Sequence, residues 1–138
     1  MAGTKNLKEL LSSMKPNLHE DEFVFCTIKN MLLTEVIHFN PIGYFIEEEG
    51  TTLIVTKDCA ESNNIPFDCT FGLISLTIHS SLEAVGLTAA IAQRLADNNI
   101  SANVVAAYYH DHIFVPLKDS SRAMIVLHEL QKENSDQE

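Results

Sequence analysis

Basic residues are scarce in this chain of 138 residues. Nine lysines and arginines stand against nineteen aspartates and glutamates, a formal net charge of -10. No Lys/Arg cluster offsets the deficit, so the surface repels phosphate backbones. That excludes nucleic acid and anionic membranes as expected partners. No apolar run approaches the ~18 residues of a membrane span. No export segment is visible either. The start "MAGTKNLKELLSSMKP" spaces Leu7, Leu10, Leu11 and Met14 as an amphipathic helix stopped by Pro16. The three cysteines, Cys26, Cys59 and Cys69, are odd in number and form no C-x-x-C. They read as buried reduced thiols of a cytoplasmic protein. A nucleophile elbow, a P-loop and a dinucleotide fingerprint are all lacking. The expectation is a protein that is not an enzyme, with no cofactor and no metal.

What is present is a globular pattern. Hydrophobic residues make up 46% of the chain, enough for one domain or two interlocked halves. "EFVFCTI" (22–28) predicts a strand, and "GYFIEEE" and "TTLIVT" predict a hairpin around Gly50, with Glu47–Glu49 as a solvated tip. A short helix begins at Asp58. "TFGLISLTIHS" is strand, Leu82 to about Asn98 helix, and "ANVVAAYY" and "HIFVPL" a second hairpin turning at His110–Asp111. The last helix starts near Asp119 with Ala123, Val126, Leu127 and Leu130 as its apolar stripe. The tail is charged.

The order strand–helix–strand–strand–helix of the second half recurs in the first half without its first helix. "TTLIVTKD" (51–58) lies over "HIFVPLKD" (112–119), and "FVFCTI" over "LISLTI". This is a degenerate internal repeat whose halves are too small for separate cores.

These residues carry a resemblance. "HSSLEAVGLTAA" (79–90) and "NVVAAYYHDHIFVP" (103–116) are similar to tandem ACT-like proteins, over nearly the whole chain. A more distant similarity links it to CASTOR-type arginine sensors and the regulatory regions of aspartate kinases. The resemblance implies an α+β fold. Two ferredoxin-like ACT-type units, βαββα with the first degenerate, share a mostly antiparallel sheet with helices on one face. The expected division is 1–68, 69–132 and a flexible tail at 133–138. The sixth strand of the second unit is absent, and the first half, another chain or a partner must cover the edge.

Family resemblance also implies the function: a non-catalytic regulatory module that senses an amino acid or related small molecule where ACT-like units meet. The expected partners are that ligand, a second copy joined by sheet edge or helix packing, and a regulated protein. The alternative is an interaction module that dimerises without ligand. ACT domains often cradle ligand at the turn from first strand to first helix, which falls here on the backbone of Ser80, Ser81, Leu82, Glu83, Val85 and Gly86. Many amino-acid-binding relatives have an acidic residue and a proline at this turn; this chain has Ser80, Ser81 and Leu82 there.

The residues themselves add chemistry. A helix start presents free N–H groups suited to a carboxylate. Ser80 and Ser81 add hydroxyls, Asp111 or Glu83 can meet an ammonium group, and Tyr109 can line a groove. Ser80 and Glu83 also fit a capping box that needs no ligand. Gly86, inside the expected helix, costs about 1 kcal/mol against alanine, so ligand access or close helix packing must want it. Tyr108 and Tyr109 alternate faces, one expected in the core. His110 and His112 form H-x-H without a third ligand at telling spacing. His79, Ser80 and Asp111 suggest a triad only on paper, because adjacent residues leave a strand on opposite faces.

Overall fold

The structure is a computed structural model and describes residues 7–77 and 86–135. Its elements in chain order are α1 (Leu7–Ser12), β1 (Pro16–Ile28), α2 (Leu33–Val36), β2 (Gly43–Ile46), β3 (Thr51–Thr56), α3 (Lys57–Ser62), β4 (Phe71–Leu76), α4 (Leu87–Asp97), β5 (Asn103–Ala106), β6 (Asp111–Pro116) and α5 (Ser120–Ser135). The strands are hydrogen-bonded in the order β2-β3-β1-β4-β6-β5. Two compact units divide the chain differently from the expected boundary at 68/69. One comprises Met1–Glu20 with Gly72–Glu138, the other Asp21–Phe71.

In the first of these units, Ile74 and Leu76 of β4 and Ile113 and Val115 of β6 point to one sheet face by the period-2 rule. They pack with Leu10, Leu11 and Met14 from the N-terminal segment, Ile91 and Leu95 from α4, and Leu127 from α5. All three helices therefore cover one face. The predicted stripe of Ala123, Val126, Leu127 and Leu130 is buried. Gln131 Nε2 donates to the Ser12 carbonyl at 3.0 Å and ties α1 to α5. Helix α5 continues through Glu133, Asn134 and Ser135, which the sequence assigned to the tail. Arg94 holds that turn with two hydrogen bonds to Glu133, at 2.9 and 2.7 Å.

The strand missing from the C-terminal ACT-like repeat is supplied from the start of the chain. Pro16–Glu20 of β1 belongs to this unit, and β1 lies beside β4. Pro16 opens β1 instead of stopping a helix, since α1 already ends at Ser12. A proline lacks an N–H and suits the first position of a strand.

In the second unit, Val24 and Cys26 of β1 and Leu53 and Val55 of β3 share a face with Val36 of α2 and Ala60 of α3. The β2–β3 hairpin pairs Gly43 with Ile54 and Ile46 with Thr51, as predicted around Gly50. The expectation of no first helix is corrected here. Leu33–Val36 is helical and runs on into a 3-10 turn at Ile37–Phe39. Its short length and the exposure of Leu33 and Ile37 erase the buried-stripe signal. Helix α3 is capped by the Thr56 hydroxyl, which accepts the Cys59 N–H at 3.2 Å, so Asp58 is not its start. The three cysteines are free, but only Cys26 is buried; Cys59 is half-buried and Cys69 exposed. Burial, then the neighbouring Cys59, pushes the Cys26 thiol above its ordinary pKa, which suppresses its reactivity.

Candidate functional site

Of the residues expected at the ligand turn, Ser80, Ser81, Leu82, Glu83 and Val85 lie outside the described residues, as does the capping box. Gly86 is described, and it is not inside the helix. It is the N-cap of α4, with φ +91°, and its carbonyl accepts the Ala90 N–H at 2.9 Å as the first helical bond. L side chains rarely adopt that conformation. Among the described residues, a Cβ there meets only Leu7 side-chain atoms, the nearer at 3.6 Å, an ordinary contact. The glycine is thus explained by backbone conformation rather than by close packing of a helix.

Tyr109 and Asp111 sit around the β5–β6 hairpin. The expectation that one tyrosine is core is overturned. Strand β5 stops at Ala106, and Tyr108 and Tyr109 are 77% and 63% exposed, their rings edge to face at 5.0 Å. Asp111 is the first residue of β6, paired with Ala106, so the turn ends before it. Its carboxyl pKa is raised by burial, against the opposing pull of His112 and His110.

On the sheet face away from the helices lies a polar row that the sequence did not announce. Ser75 Oγ is 2.9 Å from His19 Nε2 and 2.6 Å from His112 Nδ1. The three residues come from β1, β4 and β6 and are 56 and 37 positions apart in sequence. A serine beside an imidazole is the beginning of a nucleophile–base pair. Ser75, however, is 6% exposed in mid-strand, which leaves its hydroxyl no open face for a substrate. No group of three His, Cys, Asp or Glu side chains among the described residues is arranged to hold an ion.

A concavity among the described residues lies elsewhere, where β1 gives way to α2. A cleft of ≈ 470 Å³ is lined by Ile28, Lys29, Asn30, Met31, Glu35, His38 and Phe39. A second hollow of ≈ 580 Å³ shares Lys29, Asn30 and Met31 and extends to the β2–β3 turn, Ile46 to Thr51. Asn30 turns the chain with φ +57°, a conformation asparagine tolerates. Glu35 accepts the Leu32 N–H at 2.8 Å through Oε1, which fixes its carboxylate at the cleft. The arrangement offers a cation (Lys29), an amide (Asn30), an anion (Glu35) and apolar walls (Ile28, Met31, Phe39). This is the strand-to-helix turn of the first repeat, the counterpart of 80–86. Sequence reading missed it because the short α2 was not recognised.

Fold and cleft are those of a regulatory, ligand-binding class of protein. The comparisons agree. One ACT domain model matches residues 2–72 and another matches residues 69–129. The chain belongs to the ACT domain family, as a tandem of two such domains. It is similar to a Vibrio cholerae protein of unknown function described as a possible transport protein, with 45% identity, TM-score 0.84, and coverage of 94% of this chain and 99% of that one. It shares a fold with an Agrobacterium tumefaciens protein (12% identity, TM-score 0.71, 86% and 89% covered). The same fold occurs in the ligand-free regulatory subunit of Thermus thermophilus aspartate kinase (11%, TM-score 0.64, 86% and 97%). No curated protein matches the sequence. No helix among the described residues is long and apolar enough to cross a membrane.

Proposed function

We propose that this chain is a cytoplasmic, non-catalytic sensor of an amino acid or a related small zwitterion. The observation that carries the reading is the β1–α2 cleft, where Lys29 and Glu35 bring opposite charges to one concavity. A free amino acid carries the complementary pair, and its side chain meets Ile28, Met31 and Phe39. The matching turn of the second repeat, Ser80 to Gly86 with Tyr109 and Asp111, is the second site in this reading. Likeness to a regulatory subunit of aspartate kinase supports it. Binding stabilises the liganded form and so changes what the module presents to a regulated protein.

The test is thermal stability of the full chain across the twenty amino acids at millimolar concentration. A ligand at a hundred times its Kd adds about 2.7 kcal/mol. That gain is expected for one amino acid or a small set and is lost in Lys29→Gln and Glu35→Gln. The glutamine at 35 keeps an oxygen for the Leu32 N–H and removes only the charge. A flat screen rejects the reading.

A second reading, an interaction module that pairs with its own copy, is favoured by the edge strand β2. Tyr44, Phe45 and Ile46 are all exposed there, Ile46 by 71%, beside unpaired backbone groups. Exposed apolar edges demand cover.

A further inference from the structure

We propose that the His19–Ser75–His112 row is a proton-sensitive latch that holds the Pro16–Glu20 stretch of β1 beside β4 and loosens in acid. Ser75 has a single proton to give, and it lies between His19 Nε2 at 2.9 Å and His112 Nδ1 at 2.6 Å. With both rings neutral, one ring N–H donates to Oγ and Oγ–H donates to the other ring's bare nitrogen. Both contacts to Oγ are then hydrogen bonds, one accepted and one donated. A proton arriving on the accepting ring turns that nitrogen into a donor. Oγ now faces two N–H groups, and its own proton is stranded in a nearly buried place.

The surroundings sharpen this. Neither β4 nor β5 contributes an ionisable side chain. From β1 come His19 itself and, by alternation on the same face, Asp21. From the hairpin come His110 and Asp111. Burial chiefly, then repulsion from His110 and His19, disfavours a charged His112, and Asp111 opposes them only in part. His112 therefore resists its proton, and protonation leaves the Ser75 hydroxyl proton without an acceptor inside the sheet. That cost falls on the segment that serves as the missing strand of the C-terminal ACT-like repeat.

Amide hydrogen exchange on the intact chain tests the proposal, with rates corrected for the intrinsic effect of pH. From pH 7.5 to 5.5, protection at Leu18, His19 and Glu20 is expected to fall about tenfold or more, while α4 and α5 in the same unit change little. In Ser75→Ala the same amides are expected to exchange fast at both pH values. The imidazole titrations give a second measurement in the unmodified protein. His112 is expected to take its proton below the ordinary imidazole range, in step with the loss of protection. Protection at 18–20 that is indifferent to pH, loss that spreads evenly over the unit, or a His112 that titrates like an unperturbed imidazole overturns the latch.

Discussion

Gly72 on β4 and Ser120 at the first turn of α5 approach so closely that a Cβ on the glycine would overlap the serine Oγ and come within 3.2 Å of its Cβ. The serine hydroxyl is itself buried without a hydrogen-bond partner among the described residues. Helix and strand are thus packed as tightly as a missing side chain allows. Gly72→Ala is expected to destabilise by about 1–3 kcal/mol, the range for overpacking. Ser120→Ala removes an unsatisfied hydroxyl and is expected to be neutral or stabilising. Urea denaturation of the two variants checks both signs.

Gly86 makes a different demand. With φ +91°, a Cβ there makes only an ordinary contact with Leu7 among the described residues, so the strain on a substituted residue is in the backbone. Gly86→Ala and Gly86→Val are each expected to cost about 1–2 kcal/mol. Equal costs in denaturation curves support the backbone account. A harmless alanine with a costly valine points to packing instead.

Stability should depend on pH with two opposing contributions. Burial lowers the folded-state pKa of His112, so the unfolded chain takes its proton first. Stability is then lost as pH falls from about 6.5, the unfolded value, toward the folded one. Burial raises the folded-state pKa of Asp111, so there the folded chain binds more protons. Stability is gained as pH falls through that higher value and the gain is complete below the ordinary carboxylate range. Replacing His112 by Gln should flatten the first slope and, by removing its pull on the Asp111 carboxyl, steepen the second. Denaturation midpoints between pH 3 and 8 measure it.

The edge strand predicts association. If a second copy covers β2, Phe45→Lys places a charge in the contact, where the wild-type ring is 56% exposed on the single chain. Sedimentation should show dimers in the wild type and monomers in Phe45→Lys. Two identical monomers remove this surface from the account.

Much of the fold was legible. Alternation in "TTLIVT" around Gly50 and the stripe from Ala123 to Leu130 are local signals, and both elements form where the pattern places them. The polar start of β1, "PNLHEDE", gave no strand signal; its place beside β4 is a tertiary matter that no local pattern records. The site was harder for the same reason. Lys29 and Glu35 are near in sequence, but their meaning depends on a four-residue helix with an exposed face. His19, Ser75 and His112 come from three separate strands, and nothing in their spacing announces a shared hydroxyl.

The central claim is that an amino acid occupies a strand-to-helix turn of this tandem ACT protein. Backbone amide shifts of the full chain, recorded with each of the twenty amino acids at millimolar concentration, test it most directly. The account predicts that at least one ligand moves amides at Lys29, Asn30, Met31 and Glu35, or at 80–86, and that Lys29→Gln abolishes the first set. Spectra unchanged by every amino acid, or shifts confined to surfaces away from both turns, would contradict it.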